Sequence, residues 1–174
     1  ELCLLMLKEG KLSKPAALRL LDHAAGGGPP DAAAAVCERI VEAGGLKPLF
    51  TLFMKTTAPN NQQNKSKKDD ASATAEHLVG LFASLLRRLP GDSAARIRTL
   101  AKFVEKDYEK TARLVTLRRK HASRVAAADA AIEAEKAALD EEEQEERADV
   151  WFSRRLDAGL FALQTADVVL AWLA

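Results

Sequence analysis

Histidine and cysteine, the residues that most often bind metals or attack substrates, are present in this sequence but are not spaced for such chemistry. His23, His77 and His121 lie far apart, and none stands in an HxxxH or mixed Cys/His pattern. Zinc sites draw their ligands from such closely spaced pairs. Cys3 and Cys37 are also isolated, so we expect neither a zinc site nor a disulfide framework. We interpret both thiols as small apolar side chains of a protein in a reducing intracellular compartment.

A glycine-rich stretch, GGGPP at residues 26–30, is the nearest approach to a phosphate-binding loop. It follows a predicted helix and contains two prolines, which lack the backbone N–H groups that a phosphate would need. We interpret it as a connector. No dinucleotide fingerprint, P-loop or nucleophile elbow occurs elsewhere, and catalysis requires a convergent set of groups. The sequence therefore predicts a protein that is not an enzyme and needs no cofactor.

An acidic run, DEEEQEERAD at residues 140–149, is the strongest charged feature of the sequence. It has two interpretations. It is either a solvated link between two helices, where acids also suit the start of the second helix, or a docking patch for a basic, nuclear-localisation-like peptide. The candidate partner-binding residues of the second interpretation are Glu141, Glu142, Glu143, Glu145 and Glu146.

The overall composition favours helices and excludes several partner classes. The chain has 174 residues, 48% hydrophobic and 5% aromatic, with Ala and Leu prominent and a net charge of +1. Such a balance predicts neither a membrane partner nor direct nucleic-acid binding, and the basic run at 117–124 lacks the interleaved aromatics of nucleic-acid sites. Without an initiator Met, and with a helical pattern at its end, the sequence is expected to be an internal piece of a longer protein.

Short Gly and Pro breaks divide the sequence into helices, which predicts an all-α, armadillo/HEAT-like α-solenoid fragment. We expect armadillo-like helices over residues 1–54, a flexible polar loop without large apolar residues over 55–76, and further helices over 77–174. The apolar run at 158–174 contains Gln164 and Asp167, which are costly in lipid, so we interpret it as a buried helix.

One long helix is predicted from about residue 93 to 146. An apolar stripe with coiled-coil-like spacing follows its second half, and the segment at 105–114 is a place where the helix bends or restarts, because Asp107 is a poor interior residue. The stripe consists of Leu114, Leu117, His121, Val125, Ala128, Ile132 and Leu139.

Glycines mark two further features, both interpreted as packing motifs rather than sites. Gly44 and Gly45 separate two apolar helices and permit a left-handed turn between them, as at the junction of the second and third helices of an armadillo repeat. Gly159 lies inside a predicted helix, where it would let a neighbouring helix approach closely. Arg154 and Asp157, one turn earlier, are expected to pair along the same helix.

Five segments, taken in order, resemble the beta-catenin-like protein 1 family, and they span most of the chain. They are ALRLLDHA (17–24), GLKPLFTLFMK (45–55), SLLRRL (84–89), EKDYEKTARL (105–114) and FSRRLDAGLFALQ (152–164), the last being the most specific.

The resemblance implies a nuclear armadillo-type solenoid that serves pre-mRNA splicing in the NineTeen complex of the spliceosome. It implies an adaptor that binds basic, nuclear-localisation-like segments of splicing-factor proteins such as the Cdc5-like component, with possible self-association through its C-terminal region. A different class of function also stays open. The segment could be a structural cap or self-association element of a larger helical-repeat protein, with binding done by other repeats.

Overall fold

A computed structural model describes residues 1–10, 12–58 and 65–174, with the backbone alone for 65–69. In these ranges the chain forms eight helices and no strand, and the all-α solenoid prediction is confirmed. The helices are α1 (Leu2–Glu9), α2 (Lys14–Gly26), α3 (Pro30–Glu42), α4 (Leu46–Thr56), α5 (Lys65–Arg88), α6 (Ala94–Lys136), α7 (Glu141–Asp157) and α8 (Leu160–Ala171).

Helix α5 is the centre of the fold, and α2, α3, α4, α6 and α8 all pack against it. Apolar residues surround its C-terminal half on most sides, the pattern of a fully buried helix. Asp22 of α2 accepts a hydrogen bond from His77 Nδ1 at 2.9 Å and lies so close to Gly80 that a Cβ there would be 2.8 Å from its Oδ1. The buried side chains of α5 are Ala75, Leu78, Val79, Leu81, Phe82, Ala83, Leu85 and Leu86.

Four phenylalanines join α4, α5 and α6 at the middle of the core. Phe82 stacks on Phe50 with ring centroids 4.4 Å apart, and it meets Phe53 and Phe103 edge-on at 5.6 and 5.5 Å. Stacked and edge-to-face pairs stabilise beyond the area they bury. All four rings are at most 2% exposed, so the cluster fixes how α4 and α6 lie on the central helix.

The turn between α3 and α4 depends on its two glycines in different ways. Gly44 adopts a left-handed backbone with φ of 73°, and its N–H donates to the Val41 carbonyl at 3.1 Å. Gly45 has an ordinary φ but donates to the Ile40 carbonyl at 2.8 Å, and a Cβ on it would lie 3.0 Å from Leu4. These two hydrogen bonds form a Schellman motif. The turn is therefore set by conformation at one glycine and by close packing at the next.

Helix α6 is broken at the segment where the sequence predicts a bend. Glu105 leaves the helical conformation, and Lys106, Asp107 and Tyr108 are left-handed, with φ between 53° and 60°. Residues other than glycine rarely adopt this backbone conformation, because their Cβ atom crowds the carbonyl oxygen. The break divides α6 into a first arm (residues 94–104), which contributes Phe103 to the core, and a second arm (residues 109–136), which contributes Leu114 to the core and forms ion pairs with α7 and α8.

Two predicted boundaries are wrong. Of the polar loop predicted for 55–76, residues 59–64 lie outside the described residues, whereas 65–76 are helical and extend α5 toward its N-terminus. The prediction of a loop rested on the absence of large apolar residues. Ala and Lys nevertheless favour a helix, and the apolar segment that follows anchors this helix in the core. The helix predicted to continue to about 146 ends at Lys136, because Asp140 begins a new helix.

The apolar C-terminal run forms α8, whose inner face is buried against α5 and α6. In the part of the chain that the structure describes, no helix is both long and apolar enough to cross a membrane.

Candidate functional site

The five candidate glutamates lie on the first two turns of α7. We call them the acidic face: Glu141, Glu142, Glu143, Glu145 and Glu146, all of them exposed. The predicted acidic link is therefore helical except for Asp140, its N-cap. Asp140 Oδ1 accepts from the Glu143 N–H at 2.9 Å, and Glu143 Oε2 accepts from the Asp140 N–H at 3.3 Å. This reciprocal pair is a capping box, so Glu143 also holds the helix start.

The acidic face has no basic partner among the described residues, since the ion pairs of the structure lie elsewhere. The basic run at 117–124 lies on the second arm of α6, and two of its three arginines bind groups of α7 and α8. Arg118 Nε donates to Asp167 of α8 at 2.7 Å, and Arg124 donates to the Asp157 carbonyl at 3.1 Å. The glutamate charges of the acidic face therefore stay available to another molecule.

Beside the acidic face, a groove of about 630 Å³ runs between the second arm of α6 and α7. Ile132, Trp151 and Phe152 line it, but Ile132 and Trp151 are buried and only Phe152 among these three is exposed. The basic residues Lys136 and Arg155 line the same groove. Glu145 belongs to both the acidic face and this groove. Aromatic surface beside carboxylates suits a Lys or Arg side chain, whose stem is apolar and whose head is charged.

Ion pairs across the same groove fix the register of the two helices. Arg155 Nε donates to Asp129 at 2.8 Å. Glu135 accepts from Trp151 Nε1 at 2.9 Å and also pairs with Arg154. The hydrogen bond from Arg154, and then that from Trp151, lowers the pKa of Glu135. The predicted pairing of Arg154 with Asp157 along one helix is therefore wrong, because an antiparallel partner helix offers Arg154 a carboxylate.

The placement of Gly159 inside a helix is also wrong. Gly159 lies in the turn between α7 and α8, where it is the N-cap of α8 with φ of 102°, and its N–H donates to the Leu156 carbonyl at 2.9 Å. The close approach has a specific partner, because a Cβ on Gly159 would lie 2.5 Å from Nδ1 of His121 on α6. The glycine thus serves both a left-handed turn and a helix contact.

His121 is a buried polar residue within the apolar stripe of α6. Its side chain is 1% exposed, and neither ring nitrogen has a hydrogen-bond partner in the described residues. Burial lowers the pKa of His121, the charge of Glu76 opposes that shift, and Arg124 and Lys120 add to it. Burial therefore favours the neutral form of the imidazole. Of the other stripe residues, Leu114, Val125 and Ile132 are buried, whereas Leu117 and Ala128 are half-buried and Leu139 lies beyond the end of α6.

The thiols divide between two environments. Cys37 is buried in the core, and burial raises its pKa to about 11, whereas Cys3 is half-buried on α1. A thiol with such a pKa carries almost no thiolate near neutral pH, so Cys37 acts as an apolar core residue.

Comparison with known proteins gives the same architecture a family. The whole chain, residues 1–174, matches the family described as "Catenin-beta-like, Arm-motif containing nuclear". The chain belongs to this family. It is 34% identical to the Beta-catenin-like protein 1 homolog of Schizosaccharomyces pombe, over 99% of this chain and 27% of that protein. It is 38% identical to Beta-catenin-like protein 1 of Homo sapiens, over 98% of this chain and 29% of that protein.

The chain thus spans just over a quarter of the length of these curated catenin-beta-like relatives. The junction at Gly44 and Gly45 and the helical hairpin of α6 and α7 belong to an Arm-motif protein of a family described as nuclear. Sequence reasoning located the acidic face and the glycines. It did not find the contact between His121 and Gly159, although the histidine's place in an apolar stripe was a signal for burial.

Replacing Gly159 with Ala should lower the free energy of unfolding by at least about 2 kcal/mol, from left-handed strain plus overpacking against His121. Gly44→Ala is the matched control, because Gly44 is also left-handed but has open space around it. Urea unfolding of both variants measures the difference. Equal losses would contradict a packing role for Gly159.

Acidification should destabilise the protein through His121. Because its folded-state pKa is lowered, the unfolded chain binds this proton more readily, and stability falls as the pH drops through the ordinary histidine pKa of about 6.5. The loss is at most about 1.4 kcal/mol per pH unit for one proton. In the His121→Leu variant, urea unfolding at about pH 7.5 and about pH 5.5 should show a smaller difference. An unchanged difference would exclude His121 as its source.

Proposed function

We propose that this chain is part of a non-enzymatic scaffold that acts in the nucleus as an adaptor in pre-mRNA splicing and binds basic, nuclear-localisation-like segments. The supporting observation is the exposed acidic face, which has no described basic partner and adjoins an aromatic groove. The description of the family as nuclear supports the location. The proposed partners are splicing-factor proteins such as the Cdc5-like component of the NineTeen complex.

The acidic face stays negative despite its place at a helix start. The helix dipole contributes about half a positive charge there, which five carboxylates outweigh. Each exposed charge pair is worth at most about 1 kcal/mol, so a basic segment must engage several glutamates together. The stem of a Lys or Arg side chain that packs on the exposed ring of Phe152 would add apolar contact. Binding of this kind is weakened by salt.

The proposal is tested by removing the charges of the acidic face while keeping its capping box. A variant with Glu141, Glu142, Glu145 and Glu146 changed to Gln retains Glu143. We expect it to bind a fluorescein-labelled basic peptide of the nuclear-localisation type at least about tenfold more weakly, since several charge pairs are lost. Fluorescence anisotropy at low and high salt provides the measurement.

The control carries the same number of charge removals on exposed acids elsewhere, which are Glu9, Glu42, Asp92 and Glu109. It should bind the peptide nearly as well as the unchanged chain. Unchanged affinity in the acidic-face variant would show that this run serves only as a helix start. Equal losses in both variants would attribute binding to the overall charge.

A structural cap or self-association element is the second candidate function, and exposed apolar side chains favour it. Phe152 is 54% exposed, Leu156 42% and Phe161 67%, on the end of α7 and the start of α8. Phe152 and Leu156 are one turn apart and therefore share a face of α7.

Self-association through these residues predicts an apparent mass that rises with concentration. Sedimentation equilibrium should show this rise for the unchanged chain and its loss in a Phe152→Ser, Phe161→Ser variant. Tyr108→Ser, an exposed aromatic on the break of α6, is the control. A monomer at every concentration would contradict self-association. The adaptor function would still be tested separately by the binding of basic peptides.

A further inference from the structure

A second groove, formed by helices other than α6 and α7, has a basic rim. It lies among α1, α2, α4 and α5 and has a volume of about 780 Å³. Leu7 and Leu52 contribute to its apolar floor. Four lysines line it, and we call the whole the lysine groove: Lys8, Lys14, Lys47 and Lys55.

Helix α4 builds one wall of this groove through its periodicity. Leu49, Phe50 and Phe53 face the core and are buried, so the opposite face carries Lys47 and Lys55 outward. These two lysines are eight residues apart, or about 12 Å along the helix axis. The groove can therefore contact about two turns of a helix laid along it.

Among the described residues of the lysine groove, positive charge exceeds negative charge. None of its four lysines forms an ion pair with a described residue, and Asp70 is the acid that lines it. Lys102 and Lys110, which flank the break of α6, differ in this respect. Both contact Glu105, at 3.0 and 2.6 Å, and their hydrogen bonds lower its pKa.

We propose that the lysine groove binds an acidic amphipathic segment of a partner protein, with carboxylates at the lysines and leucine-type side chains on Leu7 and Leu52. An amphipathic helix in an apolar groove is a recurrent mode of recognition. This surface is opposite in sign to the acidic face of α7 and is carried by different helices. The inference therefore stands apart from the proposed binding of basic segments.

A protein segment fits this groove better than a nucleic acid. Sequence-tolerant nucleic-acid sites combine basic residues with aromatic side chains on which bases stack. The residues that line the groove include leucine, proline, alanine and threonine but no aromatic residue. An aliphatic floor gains from contact with apolar side chains, which an acidic amphipathic helix supplies and a polynucleotide does not.

The test measures the binding of a short fluorescein-labelled peptide of glutamate, aspartate and leucine to the full chain by fluorescence anisotropy. The Lys47→Glu, Lys55→Glu variant should bind it at least about tenfold more weakly. Leu52→Ala should bind it about threefold to fivefold more weakly, through lost apolar contact. Arg98→Glu, Lys120→Glu is the matched control, since both residues are exposed on α6. Circular dichroism verifies that each variant is folded.

Undiminished binding by the Lys47→Glu, Lys55→Glu variant, or an equal loss in the control, would overturn the proposal. A single-stranded RNA of equal charge that competes as well as the peptide, together with no effect of Leu52→Ala, would show a general polyanion surface and would also overturn it. The basic peptide used to test the acidic face must bind the Lys47→Glu, Lys55→Glu variant at least as tightly as it binds the unchanged chain. Failure of this proposal can therefore be distinguished from failure of the proposed function.

Discussion

The stacked pair of Phe50 and Phe82 is the contact on which the arrangement of this chain depends. Phe82 lies on the central helix α5, Phe50 on α4, and Phe103 of α6 meets both rings edge-on, at 4.9 and 5.5 Å. Both surfaces discussed above extend outward from helices that this cluster orients. The lysine groove uses the outer face of α4, and the acidic face lies on the helix paired with the second arm of α6.

Much of the fold could be predicted from the sequence, because its helix breaks use residues whose conformational roles are local. Gly44 adopts the left-handed conformation that a Schellman turn needs, and Ser93 Oγ accepts from the Arg96 N–H at 3.2 Å to cap α6. The bend predicted near Asp107 is present as three left-handed residues. Such signals depend on one or two neighbours in the chain, so a linear pattern contains them.

The remaining features depend on partners that are distant in sequence. Arg154 pairs with Glu135 rather than with Asp157, since two antiparallel helices bring those side chains together. Gly159 could not be assigned to a turn, because its apolar neighbours continue the helical pattern on both sides. The four lysines of the lysine groove do not form a run of basic residues in the sequence. Its lysines come from α1, α2 and α4, and only packing gathers them.

The hairpin of the second arm of α6 and α7 is a projection whose length can differ between related proteins. Its helices are joined by repeated side-chain pairs, Arg155 with Asp129 and Arg154 with Glu135. Its turn is closed by the capping box of Asp140 and Glu143 and by Gln144, which donates to the Lys136 and Leu139 carbonyls. Inserting one helical turn into each helix of the hairpin would move its tip outward by about 5.4 Å without disturbing the aromatic cluster. The distance between an acidic tip and the solenoid body can thus evolve independently of the stability of that body.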